Sequence, residues 1–261
     1  MYKNSNIITN LWNYRRLTIK LAISDFKLRY KNSILGFLWS LAEPLLMLVV
    51  LYITFSYFMR VNVQHYQLFL LIGIISWNMM TRGTTMALNS ILGKPALVNK
   101  VYFPREILIV SSCITAFLMT LLEFVVFGIF LVIFAVFPTM TAIYFPFLLI
   151  IQFMLIVGLS LGLASLNVYY RDIQYIWAVV LQAGFFATPI LFPISIIPVK
   201  YVWIVKLNPM THIIDMLRGS MIYSTPPITR DLIFVIISTI VILIIGYIIF
   251  LRLEPRFAEE V

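Results

Sequence analysis

Six stretches of the chain run almost free of charge for the length of a membrane helix. They fall at about 34–59, 67–92, 107–137, 143–168, 173–192 and 232–251. Each is near or above the roughly 20 apolar residues that carry a helix across a bilayer. The last, LIFVIISTIVILIIGYIIFL, is the cleanest. The third and fourth are long for one crossing and are expected to tilt or to project from the bilayer. The alternating ten-residue strands of a membrane barrel are not seen. Helices are therefore predicted, because each must satisfy its own backbone in lipid. No Gly/Ser linker or low-complexity tract divides the chain. The reading is an all-α membrane protein, with an N-terminal segment at 1–33 and one six-span transmembrane domain at 34–261.

Three segments break this pattern. Between Leu17 and Lys31, Ile19, Ile23, Phe26 and Tyr30 share one helical stripe, and Lys20, Ser24, Lys27 and Lys31 share the next. This is the pattern of an amphipathic helix lying in the interface; a plain basic anchor before the first span is the alternative. Residues 93–106, GKPALVNKVYFPRE, put charge and two prolines between long apolar runs. Pro95 and Pro104 bracket a short helical core, since proline starts a helix well and stops one. Val98, Val101, Tyr102 and Phe103 give this core an apolar face, and Lys94, Lys100 and Arg105 give it charge. It suits docking to a partner, against the alternative of a plain charged loop. Residues 189–230 are too apolar for an ordinary exposed loop. Six prolines (Pro189, Pro193, Pro198, Pro209, Pro226 and Pro227) punctuate them. Short helices there, one starting at Asn208-Pro209, are expected to dip back into the membrane within about 193–230.

Composition supports the membrane reading. The chain is 62% hydrophobic and only 11% charged, where a soluble domain carries about 25% charged residues. The N-terminal segment is not read as a secretory signal, for it lacks a clean apolar core and cleavage site. The net charge of +9 is distributed by topology. Thirteen basic residues precede span 1, lie between spans 2 and 3 or 4 and 5, or follow span 6; five lie on the other side, with Arg82 inside a span. The positive-inside rule then places both termini and the 94–105 loop in the cytoplasm. The basic excess reads as topology and anionic-lipid contact, not as a nucleic-acid surface.

Candidate chemistry is sparse. Cys113 is the only cysteine, which excludes an internal disulfide and a zinc cluster. No metal site is read. Glu43, Arg82 and Glu123 fall inside spans, where ionisable groups are costly and face a bundle interior or a watery path. They either pair for packing or serve a transport path, and Glu43-Pro44 adds an expected kink. His212, Asp215 and Arg218 recur at helical spacing. A local hydrogen-bonded surface pair is the expectation for His212 and Asp215, and a catalytic role has little support. Aromatic residues such as Trp39, Tyr52, Phe55, Trp77, Phe185, Phe186 and Trp203 read as an interfacial belt or as the lining of a path for sugars. No P-loop, HExxH, CxxC, GxSxG or dinucleotide fingerprint is present. The chain is not read as an enzyme, and a pump built on it needs a separate ATPase.

The run SDFKLRYKNSILGFLWSLAEPLLMLVVLYITFSYFM, with Asp25, Lys27, Arg29, Tyr30, Ser33, Leu35, Gly36, Trp39 and Pro44, resembles the opening of membrane subunits of type-2 ABC exporters of polysaccharides. LVNKVYFPREIL, NVYYRDIQYI, TPILFP and LNPMTHIIDMLRGSMI follow in that family's order. The resemblance covers nearly the whole chain. It implies a homodimer of six-span subunits in the bacterial inner membrane, joined to two copies of an ATPase subunit that binds ATP and Mg, with no cofactor on this chain. It implies export of a lipid-linked polysaccharide, first an undecaprenyl-diphosphate-linked O antigen for lipopolysaccharide biosynthesis, with capsule or teichoic acid as alternatives. By resemblance, Lys94, Pro95, Val98, Lys100, Val101, Tyr102, Phe103 and Arg105 belong to the coupling helix. Arg171 and Asp172 form a second cytoplasmic contact. The entrance or channel is expected at Arg29, Lys31, Trp39, Glu43, Tyr52 and Arg82. An ion-coupled carrier and a structural membrane anchor remain the other classes. The carrier would want a carboxylate relay and internal repeats, and no convincing repeat is found.

Overall fold

The computed structural model describes residues 7–31, 36, 38–58, 63–95, 97 and 103–257, and no strand occurs among them. Two short helices open the chain, α1 (Ile7–Asn13) and α2 (Arg15–Tyr30). The six apolar stretches each form a helix close to the expected bounds: α3 (Leu38–Tyr52), α4 (Tyr66–Leu88), α5 (Glu106–Ile133), α6 (Tyr144–Tyr169), α7 (Ile173–Ala187) and, last in the chain, α10 (Thr229–Leu253). Between α7 and α10 lie α8 (Val199–Lys206) and α9 (Pro209–Met221). The start of α9 is the one expected: Pro209 is its first residue, and the Asn208 side chain accepts from Met210 N at 3.0 Å. α3 runs on through Pro44 and ends in a π-helical turn over Ile53–Phe58.

Among the described residues, four helical segments are long and apolar enough to cross a membrane: Leu38–Tyr57, Glu106–Ile133, Met140–Tyr169 and Thr229–Arg256. The other two depart for different reasons. α7 has only 15 residues. α4 has 23, but its second half carries Asn78, Thr81, Arg82, Thr84 and Thr85. That polarity fits its place. Every residue from Leu68 to Trp77 is buried, and α3, α5, α6, α7 and α9 pack around the helix. A helix shielded from lipid by other helices keeps polar groups as long as they find partners.

Lipid tails are as apolar as leucine, so burial of apolar surface does not drive these helices together. Close van der Waals packing does. α6 and α10 show it best. A Cβ on Gly158 would stand 2.7 Å from Leu243 Cα, and one on Gly246 would overlap the Gly158 carbonyl oxygen. The two backbones meet with no side chain between them.

α2 lies across the beginning of α5, and Thr115 Oγ1 donates to Ala22 O at 3.1 Å. The packed side of α2 is Thr18 and Ala22, while Ile19 and Ile23 of the expected apolar stripe face outward at 51% and 41% exposure. Small residues allow the close approach and turn the isoleucines away from the protein.

One end of the bundle gathers the C-termini of α4, α6 and α10, the start of α5, and the α1–α2 pair. Asn167 Nδ2 donates to Leu88 O at 3.2 Å, and Tyr169 OH to Leu253 O at 2.8 Å. The two ends of the described chain therefore lie together.

Candidate functional site: a buried ion triad and the loop-bearing end

Glu43 on α3, Arg82 on α4 and Glu123 on α5 meet inside the bundle. Arg82 NH2 donates to Glu43 Oε2 at 2.9 Å, and NH1 donates to Glu123 Oε1. Arg82 is 7% exposed and Glu123 fully enclosed, whereas Glu43 is 55% exposed. Glu123 Oε2 has no hydrogen-bond partner among the described residues. Two carboxylates thus share one guanidinium, and the triad carries a formal charge of −1. Charges at this depth persist only when matched. Glu123, which sequence reasoning weighed but left outside the expected site, is the most deeply held of the three.

Trp39 and Glu43 lie on the outward face of α3, Trp39 at 55% exposure. Tyr52 is part of an aromatic series farther along: its ring is 6.1 Å from Tyr66, which lies 5.9 Å from Phe69. Arg29 and Lys31 are exposed near the end of α2, and Arg29 NH1 reaches Met86 Sδ on α4 at 3.7 Å. The expected entrance residues therefore fall in three groups: Arg29 and Lys31 at the loop-bearing end, Glu43 and Arg82 with Trp39 nearby on α3, and Tyr52 beyond.

The loop-bearing end is cross-tied. Lys94 Nζ donates to Asp25 Oδ2 at 2.6 Å. Asn10 Nδ2 donates to Glu106 Oε1 at 2.7 Å. Arg105 NH1 donates to Glu254 O at 2.7 Å, and its guanidinium lies 5.9 Å from the centre of the Phe257 ring. Pro95 is exposed and Phe103 half-buried. Arg171 and Asp172 form an exposed turn between α6 and α7. Val98, Lys100, Val101 and Tyr102 lie outside the described residues. Glu106 stood in the charged 93–106 stretch without a role of its own, and Asn10 and Glu254 fall in no motif or periodic stripe.

The opposite end is organised by Arg218 of α9. Its guanidinium donates to Phe69 O (3.0 Å), Pro189 O (2.7 Å) and Ile190 O (2.8 Å), and it covers the Phe69 ring at 3.3 Å. Gly73 makes the room: a Cβ there would stand 2.8 Å from Arg218 NH2. The expected surface pair of His212 with Asp215 is corrected. His212 is buried against Phe234, its Nε2 is 2.8 Å from Lys206 O, and its Nδ1 is 3.4 Å from Asp231 Oδ1 on α10. Packing on α10 turns the ring away from its helical neighbour.

A helical bundle with apolar outer faces, one charged cross-tied end and a buried Arg82–Glu123 ion pair is that of a polytopic membrane protein. Residues 17–222 match the ABC-2 type transporter family, and the chain belongs to that family. Its relatives include the O-antigen export system permease protein RfbA of Klebsiella pneumoniae, 31% identical over 245 residues that cover 93% of this chain and 94% of that one. The protein of the same name from Myxococcus xanthus is 29% identical over 260 residues, covering 98% and 99%. The polysialic acid transport protein KpsM of Escherichia coli is 24% identical over 215 residues, covering 78% and 81%.

Proposed function

We propose that this chain is the membrane permease subunit of an ATP-driven exporter of a lipid-linked polysaccharide, an undecaprenyl-diphosphate-linked O antigen. The carrying observation is the nearly end-to-end match to O-antigen export permeases. Capsular polysaccharide is the second reading, favoured only by the weaker match to the polysialic acid transport protein.

On this reading α3, α4, α5, α6, α7 and α10 make six crossings of the bacterial inner membrane, with both termini cytoplasmic and the 193–230 region re-entrant from the far side. Two copies pair, and two ATPase subunits dock beneath them. Those subunits bind ATP and Mg and supply hydrolysis; this chain holds no cofactor. Lys94, Pro95, Val98, Lys100, Val101, Tyr102, Phe103 and Arg105 form the coupling helix, and Arg171 with Asp172 the second contact. Arg29 and Lys31, exposed and basic, attract the diphosphate head to the entrance. Trp39, Glu43, Tyr52 and Arg82 stand along the path that follows. Arg82 is already matched by two carboxylates, so its charge serves the bundle before it serves an anion.

The test is deletion of the gene in its native host together with purification of the protein. Loss of surface polysaccharide, internal accumulation of its lipid-linked form and co-purification of an MgATP-hydrolysing subunit are expected. A chain that purifies alone and whose loss leaves surface polysaccharide intact would sink the reading and favour an ion-coupled carrier.

A further inference from the structure

Resting on that reading, we propose that α1 and α2 form one rigid platform with both ends of the 94–106 segment, with Asp25 and Asn10 as the positioning residues that join them. The segment that would receive the motor stroke is tied at its beginning and at its end to the same pair of helices. Lys94 holds Asp25 on α2, and Glu106 holds Asn10 on α1. Asn10 lies on α1 and Asp25 on α2, the latter about 15 Å beyond the start of its helix at 1.5 Å per residue. One tie would leave the helices free to swivel about it. Two separated ties fix direction as well as position. Both are sheltered: Asp25 and Lys94 are 19% and 24% exposed, and Asn10 and Glu106 are 7% and 3% exposed. Thr115 Oγ1 on Ala22 O and Arg29 on Met86 add contacts between these two ties and beyond them.

The consequence reaches the entrance. Arg29 and Lys31 sit at the far end of α2, so a displacement of the segment carries them with it. Both ends of the docking segment and the entrance charges then move as one body. In the rival arrangement α2 stays in the interface while the loop slides past it, and the Asp25–Lys94 pair must break in every cycle.

The test uses the full chain with its ATPase subunit, in two arms. In native cells lacking the parental gene, Asp25→Lys is expected to lower surface polysaccharide per inserted chain at least fivefold. MgATP hydrolysis by the purified Asp25→Lys complex is expected to fall less than threefold. The conservative variant Asp25→Glu, which keeps a carboxylate for Lys94, is expected to hold export to within twofold of the parent. In the second arm Cys113 is replaced by Ala, and Asp25→Cys with Lys94→Cys is stapled in the purified complex by a short reducible bis-thiosulfonate. Hydrolysis within twofold of the same double-cysteine complex before stapling is expected. An Asp25→Lys variant that exports at the parental level, or an Asp25→Glu variant that exports no better than Asp25→Lys, overturns the platform. So does hydrolysis that drops tenfold on stapling and returns with reductant. Failure of the functional reading is distinct: the unmodified parent would neither export nor hydrolyse MgATP, and the platform would fall with it.

Discussion

Arg82 and Glu123 form an ion pair within the bundle, with the Glu123 side chain fully enclosed and Arg82 only 7% exposed. They join α4 to α5 at a depth where neither charge is tolerable alone. Breaking a buried pair by removing one partner costs about 3–5 kcal/mol, because the other charge stays buried. Arg82→Ala is therefore expected to destabilise the protein severely. Glu43→Gln, on the half-exposed side of the same guanidinium, should cost about 1 kcal/mol or less. Replacing the pair together, Arg82→Met with Glu123→Leu, should recover most of the loss. Thermal unfolding of the purified protein checks all three. An Arg82→Ala variant as stable as the parent would show that the pair does not hold the helices.

Arg218 makes a different kind of joint. It neutralises no carboxylate at contact distance among the described residues; instead it serves three backbone carbonyls on two segments. A planar fork reaches all three at once, and a lysine ammonium does not share that geometry. Arg218→Lys is expected to leave at least one buried carbonyl unpaired, at about 1–3 kcal/mol. Gly73→Ala should cost a similar amount by pushing the guanidinium away. A Cβ at Gly73 meets Ile190 Cγ2 at 2.9 Å as well as the guanidinium, so only part of its cost falls on the contact that Arg218→Ala removes, and the double variant Gly73→Ala with Arg218→Ala should cost less than the sum of those two singles. Unfolding midpoints of the four proteins decide it, and strict additivity would refute the shared cause.

His212 gives a smaller joint between α9 and α10. His212→Phe keeps a ring against Phe234 but drops the polar contacts to Lys206 O and Asp231. A loss of about 1 kcal/mol is expected, from the hydrogen bond to the Lys206 carbonyl. Asp231→Asn should cost less, since the Lys206 contact survives. Limited proteolysis between α9 and α10, over residues 222–228, measures the loosening. Equal cutting of parent and His212→Phe would count against the joint.

The sequence carried the helices well and their packing poorly, for one physical reason. In water the apolar face of a helix is its buried face. In lipid both faces are apolar, so periodicity stops marking the core. Ile19 and Ile23 formed the evident stripe of α2, yet Thr18 and Ala22 make the contact. α10 is the most apolar span, yet it touches α6 through Gly246. The useful signals were the anomalies: three ionisable residues at membrane depth, which do pair, and Asn208-Pro209, which does start a helix. The partners of His212 were not legible, because a helical spacing of three favoured Asp215 while the tertiary contact with α10 chose Asp231. Lys94 stood out as a loop charge, but nothing in its neighbourhood pointed across the fold to Asp25.

The contact of α6 with α10 makes the last prediction, and the sharpest in position. Gly158 has no space for a side chain: its Cβ would stand 2.8 Å from Leu243 N and 3.1 Å from Ile242 C, all of it backbone that cannot swing aside. Gly158→Val must therefore push the two helices apart and forfeit packing along their length. Gly246→Ala should do the same from the other side. Gly128 on α5 is the internal control, for nothing among the described residues lies within 4 Å of a Cβ there. Gly128→Ala should be neutral or should stabilise by up to about 1 kcal/mol, as expected when alanine replaces a helical glycine. The measurement is the unfolding midpoint, together with disulfide formation between cysteines placed at Leu159 and Ile242 in a Cys113→Ala background. A drop in both for Gly158→Val and Gly246→Ala, with neither changed by Gly128→Ala, would establish that backbone contact rather than apolar burial holds α10 in place. Tolerance of Gly158→Val would mean that α10 is held by lipid and by its ends alone.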